Sequence, residues 1–236
     1  MHAIPCPKIE TLTLKGLTFG YEPSRNVFTD LSFDLPTGKN IYLTGGAGNG
    51  QSTLLRLLAV LLQPQKGSYL INGHDTSQMS FEEFLEFRKK IGYTFDFGGL
   101  FANRTLHDNL VLPLLYHKIT SSEEASAQAM EFGRHFGFER QIQQRPAMVS
   151  GGLRKLVCVL RAFILRPEMV VMDDPFTGVD PEAARKLIKL IHDRREAGEL
   201  KHVFFTSRDE VYPQRLGNEP LYVEGTKLVL GERKAA

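Results

Sequence analysis

The run Gly45-Gly46-Ala47-Gly48-Asn49-Gly50-Gln51-Ser52-Thr53 is dense in glycine and ends in two hydroxyls. Glycines let backbone N–H groups turn inward around phosphate oxygens, and a helix that starts beyond them adds its positive end. The spacing fits the phosphate-loop pattern G-x-x-x-x-G-K-[ST], with Gln51 in the lysine position. Ser52 stands where a hydroxyl would meet Mg²⁺. A second run, Met169-Val170-Val171-Met172-Asp173-Asp174-Pro175, is an apolar strand ending in paired acids. Asp173 is placed to hold Mg²⁺ through its water shell. A third, Val149-Ser150-Gly151-Gly152-Leu153, sets a glycine turn at a helix start and offers a second anion-binding surface. Taken alone, the first run also fits a glycine-rich strand–helix loop that binds nothing. The other two make that reading much weaker.

These groups need elements to hold them. Ile9–Leu14 and the stretch 28–35 alternate loosely, as strands do, and Asn40–Thr44 suits a buried strand. Ser52 to Leu62 has helix formers almost throughout and stops before Pro64. Ser68–Gly73 predicts a strand running into an Asn-Gly turn, Phe81–Lys90 a helix, and Ile91–Phe95 a strand. The middle predicts mostly helix: one opened by Ser121-Ser122-Glu123-Glu124 and running to about Phe136, and one over about Gly152 to Leu165. Met169–Met172 and His202–Thr206 predict strands, with a helix over Ala183–Glu196 between them. Leu221 to Leu230 predicts a hairpin around Glu224-Gly225. Strands alternating with helices imply an α/β fold with a largely parallel sheet. No internal repeat, low-complexity segment or interdomain linker is visible.

Composition narrows the function classes. The chain has 236 residues, 42% hydrophobic and 24% charged, with net charge +2. That is ordinary for a globular domain with a sizeable core, and unlike a disordered, collagenous or disulfide-rich chain. Basic residues cluster only briefly, at Arg88-Lys89-Lys90, Arg194-Arg195 and Arg233-Lys234, which argues against a nucleic-acid partner. Of the two cysteines, Cys6 and Cys158, the latter sits in the apolar run 156–160 and reads as a small buried hydrophobe. The seven histidines are scattered and show no zinc spacing. Met1–Pro5 does not read as a signal peptide, and no apolar run approaches the ~18–20 residues of a membrane span.

Four ordered segments carry a resemblance: Gly45–Thr53, Ser150-Gly151-Gly152, Asp173-Asp174-Pro175 and Thr177-Gly178-Val179-Asp180. In order and rough spacing they resemble ABC-type ATPases, over essentially the whole chain. Tyr21, in Phe19-Gly20-Tyr21, matches the aromatic that stacks on adenine in that family, and Ile91–Phe101 matches its Q-loop. The run from Leu100-Phe101 through Asp108–Leu114 looks most like the Mla-type lipid-trafficking ATPases that work with MCE proteins. The resemblance implies a P-loop NTPase core with an antiparallel β part near the N-terminus and a helical subdomain inserted at about 97–165, all in one domain. It implies ATP and Mg²⁺ as ligands. Tyr21, Gly45, Gly48, Asn49, Gly50, Gln51, Ser52 and Thr53 would surround the nucleotide. Ser52, Asp96 and Asp173 would face the metal, and Asp174 and Ser207 would occupy the catalytic positions. Ser150, Gly151 and Gly152 would act on a partner's nucleotide, and Asp180 would lie in the loop touching that partner. The implied partners are an integral-membrane permease and a second ATPase subunit. The implied location is cytoplasmic, peripheral on the inner membrane through the permease.

The family pattern is broken at the positions that act in cis. Gln51 replaces lysine, Asp96 replaces glutamine, Asp174 replaces the catalytic glutamate and Ser207 replaces the switch histidine. Gln51 carries no charge where an ion pair at surface dielectric is worth up to ~4 kcal/mol before desolvation. Asp174 is one methylene short, and a misplacement of about 1 Å can cost ~10²-fold in rate. Ser207 cannot extend as far as an imidazole, and Asp96 adds negative charge near the metal. Ordinary turnover at this chain's own loop is therefore not expected. The in-trans residues are intact, which favours a heterodimer over a homodimer. A structural or regulatory subunit with a relic site, and a soluble non-transport ATPase, are the alternatives.

Overall fold

Alternation of apolar residues at period two builds the antiparallel sheet, and continuous apolar runs build the centre of the parallel one. The computed structural model describes residues 8–231 apart from Pro23, Gly98, Asn218 and Thr226. The expectations on Cys6, Met1–Pro5 and Arg233-Lys234 lie outside them. β1 (Leu12–Glu22) buries Leu12, Leu14, Leu17 and Phe19. A bulge between Leu14 and Leu17 keeps the later residues on the core side. β1 pairs antiparallel with β2 (Arg25–Asp34) and β4 (Lys66–Ile71), and β5 (His74–Asp75) closes the edge in the order β2-β1-β4-β5.

The second sheet has the order β10-β9-β3-β8-β7-β6. Its strands β3 (Asn40–Thr44), β6 (Ile91–Thr94), β7 (Met169–Met172), β8 (His202–Phe205) and β9 (Glu219–Glu224) run parallel. β10 (Lys227–Leu230) folds back antiparallel on β9, the hairpin expected around Gly225. Every residue of β7 and β8 is buried, as a doubly covered strand requires. Val170, Met172, Val203 and Phe205 face one core. Met169, Val171 and Phe204 face the other, with Ile41 and Leu43 of β3.

The first core is roofed by α3 (Leu106–Tyr116), α4 (Ser122–Phe136), α5 (Gly151–Phe163) and α6 (Pro181–Glu196). The second lies between the mixed sheet, the antiparallel sheet and α1 (Gln51–Leu58), and it also takes in Phe87 of α2 (Phe81–Lys89). Capping boxes at Ser80/Glu83 and Ser121/Glu124 start α2 and α4.

The structure differs from the sequence expectation at several ends. α1 stops at Leu58, not Leu62: Val60 takes a left-handed φ of 53° and the Leu61 N–H reaches back to the Arg56 carbonyl at 2.8 Å. That is a helix-ending motif set well before Pro64. α3 carries Pro113 inside it, which masks its helical pattern, yet Thr105 and Asp108 form a capping box that announces its start. α7 (Val211–Leu216) is short, and no periodicity foretells it.

Candidate functional site

The glycine loop leaves the carboxyl end of β3 and enters α1. Its last residue, Gly50, has φ 95° and gives α1 no side-chain cap. The first N–H groups of the helix are thus left for an outside acceptor. A Cβ on Gly50 would lie 2.6 Å from Val27 Cγ1 and 2.8 Å from Phe28 Cζ, so only glycine fits this approach to β2. Asn49 Nδ2 donates to the Val223 carbonyl at 3.1 Å and ties the loop to β9. Gln51 Nε2 donates to the Gly46 carbonyl at 3.1 Å, so its amide bends back over the loop.

A polar chain runs from this loop along the carboxyl edge of the sheet. Ser52 Oγ donates to Asp173 Oδ1 at 3.1 Å, and Thr206 Oγ1 donates to the same oxygen at 2.8 Å. Asp174 N–H donates to Thr206 Oγ1 at 2.9 Å. Asp173 is buried at the end of β7. A hydroxyl and a buried carboxylate meeting at the mouth of a glycine loop are hard oxygen donors, and they fit Mg²⁺ with water completing its shell. Among the described residues no three His, Cys, Asp or Glu side chains converge on a metal position.

Asp96, also expected to face the metal, makes its hydrogen bonds among the described residues to other partners. Its Oδ1 accepts from Lys155 Nζ at 3.1 Å, its Oδ2 from Arg208 Nη2 at 2.5 Å, and its backbone carbonyl also accepts from Lys155. Two cations share its lone pairs. Asp174 has φ 48°, a strained value for a residue with a side chain. Its Oδ1 accepts from Thr177 Oγ1 at 2.8 Å and from the Arg208 N–H at 3.3 Å. Its buried Oδ2 lies 3.5 Å from Arg208 Nε without hydrogen-bond geometry. Ser207 contributes nothing to the cluster through its hydroxyl. Its Oγ donates to the Asp209 carbonyl at 2.7 Å and accepts from the Asp209 N–H, closing its own turn.

Tyr21 stands on β1 with its ring 5.2 Å from Phe19, edge to face, and half exposed. Its hydroxyl sits 3.2 Å from Thr53 Oγ1 and accepts from Arg56 Nη1 at 3.2 Å. The hydroxyl is thereby held beside the first turn of α1.

Ser150, Gly152 and Asp180 line a separate cleft of about 690 Å³ that does not include the glycine loop. Ser150 caps α5, accepting from the Leu153 N–H at 3.2 Å, so its own O–H remains a donor. Asp180 caps α6 through the N–H groups of Glu182 and Ala183. The two glycines differ. A Cβ on Gly152 would meet the Gly178 carbonyl at 2.1 Å, so the chain itself needs that glycine. A Cβ on Gly151 would find only Arg154 Nη2, at 3.6 Å, an ordinary contact. Among the described residues nothing requires glycine at 151.

Thr206, Arg208 and Lys155 escaped the sequence reading. Arg208 adjoins Ser207 in Thr206-Ser207-Arg208-Asp209, so a search for any cation near that position, rather than for histidine alone, would have found it. Lys155 carries no such signal, because it reads as one more polar residue of α5.

Comparison with known proteins places the chain. A sequence model of the family described as ABC transporter matches residues 28–177. The protein named "Probable ribonucleotide transport ATP-binding protein mkl" of Mycobacterium leprae is 35% identical over 77% of this chain and 52% of its own. The phospholipid transport ATP-binding protein MlaF of Haemophilus influenzae is 28% identical over 91% of this chain and 83% of its own. The lipoprotein-releasing ATP-binding protein LolD of Colwellia psychrerythraea is 30% identical over 84% and 77%. The chain spans about half the length of the mycobacterial relatives it matches. A solved dimeric ATP-binding cassette bound to ADP and phosphate superimposes with a TM-score of 0.82 at 24% identity, covering 95% of this chain and 99% of that one.

Proposed function

The chain belongs to the ABC transporter family, and from that we propose that it is a nucleotide-binding subunit that holds Mg·ATP while turning it over little. The single observation that carries this is the Ser52–Asp173 contact of 3.1 Å at the mouth of an uncapped glycine loop. Backbone N–H groups of 45–53 grip the phosphates, the half-exposed ring of Tyr21 takes the base, and Gln51 swings from Gly46 to donate a neutral hydrogen bond. Ser52, with Asp173 acting through water, would hold Mg²⁺, which would neutralise phosphate charge. Asp174 is poorly placed as a base: it is short, Oδ1 is engaged by Thr177 and the Arg208 backbone, and the remaining Oδ2 is buried beside Arg208. Ser207 is turned into its own loop.

The chain's stronger contribution is to a second ATPase subunit, which we take to be a different, motif-complete chain. Ser150 keeps a free O–H donor, and Gly151 leaves open space that no intrachain contact explains. The stretch 97–165 serves as a helical subdomain. Exposed Phe97, Phe101 and Tyr116 support it as the surface that a membrane permease grips. Among the described residues no helix is long and apolar enough to cross a membrane, so attachment to the inner membrane on its cytoplasmic face runs through the permease. The run 100–114 and the phospholipid-transport relative support a lipid cargo.

Calorimetric titration of Mg·ATP into the purified chain tests the reading. Binding that weakens at least tenfold in Ser52→Ala is expected. No binding at all would make the nucleotide site a relic and the chain a structural subunit.

A further inference from the structure

Arg56 is a cation without an acid. From Thr53 to Leu58 every other residue of α1 is buried apolar side chain or the Thr53 hydroxyl. Among the described residues no carboxylate forms an ion pair with Arg56, and its Nε is buried without a hydrogen bond. Ordering a long arginine side chain is entropically costly, and here no ion pair offsets it. What the guanidinium does meet is a phenol: Nη1 donates to Tyr21 Oη at 3.2 Å.

That bond settles the direction of the next one. A guanidinium only donates, so the Tyr21 oxygen accepts, and its own O–H is left to donate to Thr53 Oγ1, 3.2 Å away. Thr53 and Arg56 stand three residues apart on α1, on one face of the helix. Both anchors of the hydroxyl therefore come from the helix that the glycine loop opens. At the other end of the side chain, buried Phe19 lies two residues back on the same face of β1, its ring edge to face with Tyr21. Tyr21 is 56% exposed, and these contacts restrict a ring that would otherwise rotate in solvent.

We propose that Arg56 is a positioning residue for the nucleobase: through the Tyr21 hydroxyl it holds the ring in the orientation that stacks on adenine, so the ring is ordered before the nucleotide arrives. Ordering completed in the free protein is not charged against binding. The effect belongs to the base end of the nucleotide and leaves the phosphates untouched. A basic residue in the last turn of a helix also interacts with the helix dipole, but that role would show no preference among ligands. The proposal rests on the nucleotide site described above, with Tyr21 as its base platform.

The test compares Mg·ATP with magnesium tripolyphosphate, which has the phosphates and no base, by calorimetry on the full chain. The variants are Arg56→Met, Tyr21→Phe and the two together, with thermal melts as a folding check. Arg56→Met should weaken ATP binding about fivefold, part of what base–aromatic stacking contributes, and leave tripolyphosphate within about twofold. Tyr21→Phe keeps the ring, lacks the hydroxyl and should do the same. It reads the same bond from an exposed position if Arg56→Met folds poorly. The double variant should lose no more than either single one, because both changes break one bond. Unchanged ATP binding in the single variants, equal losses for the two ligands, or additive losses in the double variant would overturn the role of Arg56 alone. A wild-type chain that binds tripolyphosphate as tightly as ATP would overturn Tyr21 as the base platform. One that binds neither would overturn the nucleotide site itself.

Discussion

Changing Gly151 to Asp separates what this chain needs for folding from what it lends to another subunit. Position 151 opens α5 with no left-handed φ, and an added Cβ meets only Arg154 Nη2 at 3.6 Å. Aspartate is only a few tenths of a kcal/mol, roughly, better than glycine in helix propensity. An acid in the first turn adds about 0.3–1 kcal/mol through the helix dipole. The isolated variant should therefore melt no lower than wild type, and a gain of about 1 kcal/mol would raise the midpoint by roughly 2–4 °C in a chain of this size. In the assembled transporter the same carboxylate would face a γ-phosphate held by the partner. One like-charge pair at about 4 Å and surface dielectric costs ~4 kcal/mol, on the order of a thousandfold in turnover. The assay is steady-state ATP hydrolysis by the reconstituted complex, beside a melt of the isolated chain. Gln51→Ala, in a loop that already lacks its lysine, should cost far less than Gly151→Asp. Unchanged turnover with Gly151→Asp, or near-equal losses from the two changes, would refute the in-trans reasoning. So would a lowered melt, because the glycine would then be structural.

Gly152→Ala should behave in the opposite way, since its Cβ would lie 2.1 Å from the Gly178 carbonyl. A loss of about 1–3 kcal/mol is expected, read as a lowered denaturation midpoint in the isolated chain. Gln51→Lys should tighten Mg·ATP binding by one to two orders of magnitude, roughly 1.4–3 kcal/mol, measured by calorimetry. His202 gives a pH signature. It is buried between the Gly38 N–H, which donates to Nδ1 at 3.1 Å, and the Ile9 carbonyl, 2.9 Å from Nε2. Burial holds its pKa below the ordinary value of 6.5 despite the Ile9 contact, with Lys201 and Arg195 adding to the depression. Its contribution to stability is therefore complete above that value. It is lost as pH falls from there through the depressed pKa, because the unfolded chain then binds the proton more readily. Melts at falling pH should show a steeper decline for wild type than for His202→Gln.

The parallel core was legible because β7 and β8 are continuous apolar runs that only a doubly covered strand produces. Helix α4 was legible from its Ser-Ser-Glu-Glu opening, and α2 carries a Ser80/Glu83 capping box that the sequence reading did not use. α3 was not read as a helix, since Pro113 interrupts its pattern, and the end of α1 was misjudged because a left-handed Val60 has no sequence mark. Within the site, the motifs assigned Ser52 and Asp173 to one metal position, and the two side chains lie 3.1 Å apart. Spacing could not show that Asp96 is held by Lys155 and Arg208, because those pairings join residues from three distant segments. Nor could it divide the glycine pair. What distinguishes Gly151 from Gly152 is the Gly178 carbonyl, which the fold brings up from another loop.

The central claim is that this chain holds ATP at its own loop without consuming it. The most direct measurement is to mix the isolated chain with limiting labelled Mg·ATP, isolate the bound nucleotide and identify it over time. The account predicts that the nucleotide is retained and recovered as ATP over many minutes. Conversion to ADP at ordinary enzyme rates, about 1 s⁻¹ or faster, or no retained nucleotide at all, would contradict it.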